Sequence, residues 1–166
     1  MTQNPVYDAI SNEFKKCQQD EDLPKIGCVF KLKDNDMYQW KVTMCCPKET
    51  PYENGIFTIL ILFPPDYPRY GPEFRFMNKI YNLNVDSRGD WRIYHSNLNE
   101  YRYSGKVRAV PNYGIKQALF DIYSTFYFQP VNSAFNYIWA EQYKNNRAEF
   151  EKEAKKWTQE YATKPL

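Results

Sequence analysis

The chain has 166 residues with 22 Lys and Arg against 20 Asp and Glu, and that balance gives no prior for nucleic acid or a membrane surface. Mean hydropathy is −0.76, yet 15 Tyr, 11 Phe and 4 Trp supply enough core material for one folded domain and exclude a disordered tail. Four cysteines without a basic-then-apolar leader in MTQNPVYDAI predict free thiols in a reducing, cytosolic or nuclear compartment.

Asn4-Pro5 reads as a helix start, followed by Ile10, Phe14 and Cys17 at i, i+4 and i+7. That helix is expected to end in the polar run 18–22, before Pro24. Cys28, Phe30 and Leu32 then alternate with Val29, Lys31 and Lys33, and after a turn Trp40, Val42 and Met44 alternate with Gln39, Lys41 and Thr43. Each of these strands is expected to have one buried and one wet face. Residues 55–63, GIFTILILF, read as a central strand covered on both faces, and Phe74-Arg75-Phe76 as a short fourth strand. Pro64, Pro65, Pro68 and Pro72 make the stretch between them a rigid loop, since proline cannot donate to a ladder.

Residues 78–114 show no clean period and read as long loops with short turns. Ile115, Leu119, Ile122 and Phe126 predict a helix ended by Pro130, and 134–146 predicts another with Ile138 and Tyr143 inward. Phe150, Ala154, Trp157 and Tyr161 mark the last, most clearly amphipathic helix. The order is α+β: a helix, a four-stranded antiparallel meander and three C-terminal helices, in a single domain over 1–166. No apolar run approaches the ~18 residues of a membrane span. A metal site is not expected, because adjacent Cys45-Cys46 lacks ligand spacing and His95 is the only histidine. No cofactor is expected either.

Several strings resemble the ubiquitin-conjugating enzyme (UBC) family over essentially the whole chain. Residues 46–57, CPKETPYENGIF, are close to the family's GP-x-x-TPYEGG-x-F, and Phe63–Pro68 match FP-x-DYP. Ile80-Tyr81, Asn84 and Gly89 keep the spacing of IYHPN-x-x-x-x-G, and 115–126 and 143–147, YKNNR, match the family's helices before and after its active-site gate. The resemblance implies a UBC fold and a cysteine that accepts the ubiquitin C-terminus as a thioester, because a thiolate both attacks and leaves well.

That cysteine would stand three residues after Gly89, where this chain has Arg92. Arginine carries only donors and cannot be a nucleophile. No cysteine follows Cys46, so shifting the alignment supplies none. The family's His-Pro-Asn turn becomes Asn82, Leu83 and Asn84: the oxyanion-donor Asn remains while the His and Pro that brace it are gone. Asn84 then reads more readily as a turn residue than as a catalyst. The gate acid, which orients the incoming lysine, falls at Ser133.

The resemblance also places partner surfaces. The ligase-facing loops carry Arg69 in place of an aromatic, with Pro111 retained and Asn112 in place of a small residue, so docking to typical RING ligases is expected to weaken. Val29 is the one apolar centre expected on the outer sheet face, where some members bind ubiquitin non-covalently. The 21 residues between Gly89 and Pro111 include Tyr101, Arg102 and Tyr103. Basic residues among aromatics suit nucleic acid or an acidic protein surface, and the plainer reading is a solvated loop over the defunct site. With the chain nearly neutral, nucleic acid is not the expected partner.

The sequence therefore points to a catalytically inactive UBC-like protein that binds ubiquitin, a ubiquitin-like protein or an active conjugating enzyme. Known ubiquitin-conjugating enzyme variants usually lack the last two helices, which this chain is expected to retain. Two rivals stand beside this reading: residual transfer through Cys45, Cys46 or a partner's nucleophile, and a structural subunit with no ubiquitin role.

Overall fold

A computed structural model of the chain describes residues 4–95, 100–103 and 114–166. Helix α1 spans Pro5–Gln19 and starts as its sequence dictates: the Asn4 side chain accepts from Tyr7 N, and Pro5 occupies the first turn. Such a cap contributes about 1 kcal/mol. Ile10, Phe14 and Cys17 form the buried stripe.

Strands β1 (Val29–Lys33), β2 (Asp36–Cys45), β3 (Ile56–Leu62) and β4 (Glu73–Phe76) form one antiparallel sheet in sequential order. Asp34 and Asn35, both at positive φ, make the β1–β2 turn, a conformation these residue types tolerate. The inner face stacks Trp40, Val42 and Met44 of β2 beside Phe57, Ile59 and Ile61 of β3, all fully buried. Trp40 anchors α1 to the sheet: its ring centroid lies 5.0 Å from Phe14 and 4.5 Å from Phe63, and its indole donates to Met37 O at 2.7 Å. A buried ring of this kind contributes on the order of 3 kcal/mol.

Helices α2 (Ile115–Ser124), α3 (Tyr137–Asn145) and α4 (Arg147–Tyr161) follow. Lys116 at the start of α2 reaches Asp20 and Asp22 beyond α1, both at 2.8 Å. Its hydrogen bond holds the Asp22 carboxyl down at about 2. No described helix is long and apolar enough to cross a membrane, and no described cluster of ligands could hold a metal ion.

Four sequence expectations need correction. Residues 78–114 are not loop throughout: β5 (Arg92–His95) and β6 (Glu100–Tyr103) pair antiparallel as a second, two-stranded sheet. Four-residue strands are too short for alternation to register. α2 ends at Ser124, before Pro130, and Phe126 is buried in the turn after it. The expected helix 134–146 begins only at Tyr137, after a 3-10 turn at Val131–Ser133, because Asn136 caps it by accepting from Trp139 N. That start sets a phase in which Tyr143 is buried but Ile138 is 79% exposed. Finally, β3 is fully covered on its inner face and only partly on its outer one. On its outer face Leu60 and Leu62 are half-buried, and Thr58 is buried where Leu166 N donates to its hydroxyl.

Candidate functional site

The segment from Ile80 to Trp91 crosses the base of β4 and carries every position to which the family's chemistry would map before β5. Asn82, Leu83 and Asn84 are all fully buried. Asn82 Oδ1 accepts from Asn84 N at 2.8 Å, closing the turn locally. Asn84 Nδ2 donates to Pro130 O at 3.1 Å, and Asn84 Oδ1 is buried with no hydrogen-bond partner among the described residues. The amide that would serve as oxyanion donor is therefore engaged with backbone inside the protein.

The brace that the sequence lacks as His-Pro is supplied by residues the sequence did not mark. Tyr52, inside the TPYE string, is fully buried; its hydroxyl donates to Tyr81 O at 2.5 Å and accepts from Gln129 Nε2 at 2.6 Å. Gln129 Oε1 accepts from Leu83 N at 2.7 Å, and Gln129 N donates to Tyr143 OH at 3.1 Å. Burial pushes the Tyr52 phenol far above its ordinary range, so it stays a neutral hydrogen-bonding group. One glutamine thus ties β3's approach, the Asn82–Asn84 turn and α3 together. Gln129→Leu removes the acceptor of Leu83 N, and an unsatisfied buried N–H costs about 1–3 kcal/mol. The unfolding free energy from a urea titration is expected to fall by that amount, with the midpoint moving down in proportion.

Beyond Asn84 the chain makes a tight turn. Asp86 Oδ1 accepts from Arg88 N at 2.8 Å and from Asp90 N at 2.9 Å, while Oδ2 takes the Arg88 guanidinium at 3.1 Å. Gly89, at φ +91°, closes the turn, and its carbonyl accepts from Phe76 N at 2.7 Å. Asp90 binds Arg75 at 2.8 Å and Arg88 at 3.2 Å, and its hydrogen bond raises the Arg75 guanidinium further. Trp91 N donates to Phe74 O at 3.1 Å, and its buried ring meets Phe74 edge-on. Arg92 is the next residue and opens β5.

β5 lies beside the 3-10 turn that holds Ser133, and Asn84 is bonded to the residue just before that turn. Asn84, strand β5 and the turn of Ser133 are therefore neighbours. Ser133 itself is buried. Tyr101, Arg102 and Tyr103 lie in β6 opposite Tyr94, Ile93 and Arg92. The other predicted residues stand apart. Arg69 is exposed in the Pro-rich turn, its guanidinium 5.6 Å over the Tyr70 ring. Val29 is 54% exposed at the start of β1. Pro111 and Asn112 lie outside the described residues.

Cys45 ends β2 opposite Ile56, two strands away from β4, which Asp90 joins by a bridge at Arg75. Burial pushes Cys17 and Cys28 up to about 12 and Cys46 higher, so these three remain protonated thiols at neutral pH.

Comparison with known proteins agrees with this geometry. The family model for Ubiquitin-conjugating enzyme matches residues 9–158, so the chain belongs to the ubiquitin-conjugating enzyme family. It is similar to a solved structure from Plasmodium yoelii assigned as a ubiquitin conjugating enzyme. The TM-score is 0.77 at 27% identity, covering 99% of this chain and 100% of that one.

Proposed function

We propose that this family member does not carry ubiquitin as a thioester and acts by binding. The partners we assign to it are ubiquitin, a ubiquitin-like protein, or an active conjugating enzyme that it positions. One observation carries the reading: position 92 is arginine in a chain with no cysteine after Cys46. Three features support it. Asn84 is sealed on Pro130 O, Ser133 supplies no carboxylate, and burial keeps three of the four thiols protonated.

A thioester assay with activating enzyme and ubiquitin tests the first half. No thiol-sensitive adduct is expected, and one that disappears in Cys45→Ser would establish transfer through Cys45 instead. A titration of the isotopically labelled chain with ubiquitin tests the second half. Localised, saturable shifts are expected, and a spectrum unmoved by millimolar ubiquitin and by a loaded conjugating enzyme would leave only a structural subunit.

A further inference from the structure

A cavity of about 550 Å³ opens between the Asp86–Gly89 turn, the residues after β4, and helices α3 and α4. Asn82, Asn84 and Ser133 do not line it. Its volume lies within the range of small-molecule sites. The walls are apolar and mostly aromatic: Phe76, Ile80, Val85, Phe135, Trp139 and Trp157. The two indoles meet edge-on at 5.6 Å, and Tyr81 backs Trp139 at 4.0 Å, so the aromatic wall is held in place.

The polar groups around this cavity leave an unbalanced remainder. Asp86 is saturated by Arg88 and two backbone N–H groups. Asn78 is also used at both ends, accepting from Thr58 N at 2.7 Å and donating to Tyr161 O at 2.9 Å. Asn136 Oδ1 is taken by Trp139 N. Arg88 is shared between Asp86 and Asp90. Lys79, by contrast, has no carboxylate partner among the described residues, and its ammonium rests 5.1 Å over the Tyr161 ring. The indole N–H groups of Trp139 and Trp157 likewise have no acceptor among the described residues. Apart from the Ser87 hydroxyl, the unspent side-chain capacity is donor capacity with one uncompensated positive charge.

We propose that this cavity binds a small aromatic carboxylate, its flat body against the Trp139–Trp157 wall and its carboxylate on Lys79. An aromatic body matches a wall of ring faces and edges, and a single carboxylate matches a single free ammonium by a charge-assisted hydrogen bond. The site is separate from the partner-binding role above and does not depend on it.

Indole-3-propionate is the probe, titrated into the ¹⁵N-labelled full chain while the four indole N–H signals are followed. Signals of Trp139 and Trp157 are expected to shift and saturate. Those of Trp40, already bonded to Met37 O, and of Trp91 stay in place. Lys79→Gln is expected to weaken binding about tenfold, and Lys79→Arg to preserve it. Indole and tryptamine, which keep the ring but not the negative charge, are expected to bind about tenfold more weakly. No saturable shift at millimolar probe, shifts centred on Trp40 or Trp91, equal binding of tryptamine, or indifference to Lys79→Gln would each overturn the proposal.

Discussion

Gly89→Ala is expected to lower stability by about 3–5 kcal/mol, the range kept for changes that strain the backbone or break a buried network. A Cβ at this position would fall 2.1 Å from Phe76 O and 3.1 Å from Phe76 C. Both atoms belong to the backbone of β4, so no side-chain rotation relieves the contact. The φ of +91° adds a second penalty that glycine alone escapes. Relief requires moving Gly89 away from β4. That movement breaks the Phe76 N–Gly89 O bond, then the Asp90–Arg75 pair, and finally the seat of the buried Trp91 ring. For a domain of this size each kcal/mol lowers Tm by about 2–4 °C, so thermal unfolding is expected roughly 10 °C or more below the parent. Ser87→Ala in the same turn, at an exposed site, is the control and should change stability by no more than about 0.5 kcal/mol. A loss under 1 kcal/mol for Gly89→Ala would show that the turn is not held tightly against β4.

Long, strongly periodic elements were legible in the sequence because one physical rule governs each. The stripe Ile10–Phe14–Cys17 and the alternation Trp40–Val42–Met44 repeat at the periods of a helix and a strand, and both are buried as expected. The final helix carries Phe150 and Ala154 inward for the same reason. What failed were elements fixed by a single contact rather than a period. One cap at Asn136 sets the phase of α3, and a reading that began the helix three residues earlier turned Ile138 inward. The unbroken apolar run of β3 suggested cover on both faces. In the sheet, Leu60 sits in register between Lys41 and Arg75 instead of under a second layer.

The site divides in the same way. Arginine at the position the family gives to its cysteine is legible directly, since Arg92 is a residue identity and needs no geometry. The support of the Asn82–Asn84 turn was not legible. Gln129 falls at the end of the helix expected to stop at Pro130, and nothing in sequence shows that its amide spans from Tyr52 OH to Leu83 N. The fate of Asn84 depends on that support. Kept in sequence, it is buried in the structure, with one of its two amide N–H donors already on Pro130 O.

Arg92→Cys is therefore expected to fail as a restored conjugating enzyme, with discharge to lysine about 10²-fold or more below that of an active family member. Loss of one oxyanion donor costs about 10²–10³ in rate. Asn84 is fully buried with Nδ2 fixed on Pro130 O, so its second N–H can meet a developing oxyanion only if the turn reorients, beside an Asn84 Oδ1 that already has no partner among the described residues. Ser133 adds no charge to orient or deprotonate the incoming amine. Single-turnover discharge of ubiquitin-loaded Arg92→Cys onto free lysine is the measurement. Adding Ser133→Asp is expected to recover part of the rate at neutral pH, where the incoming lysine must be deprotonated, with the gain shrinking as the pH rises towards the lysine's own pKa, but not the oxyanion contribution. Discharge by Arg92→Cys alone at the rate of an active member would show that Asn84 reaches the oxyanion in spite of its burial and its bond to Pro130 O. The defect would then reside in the single residue at position 92, and the buried network behind it would have no part in holding the site closed.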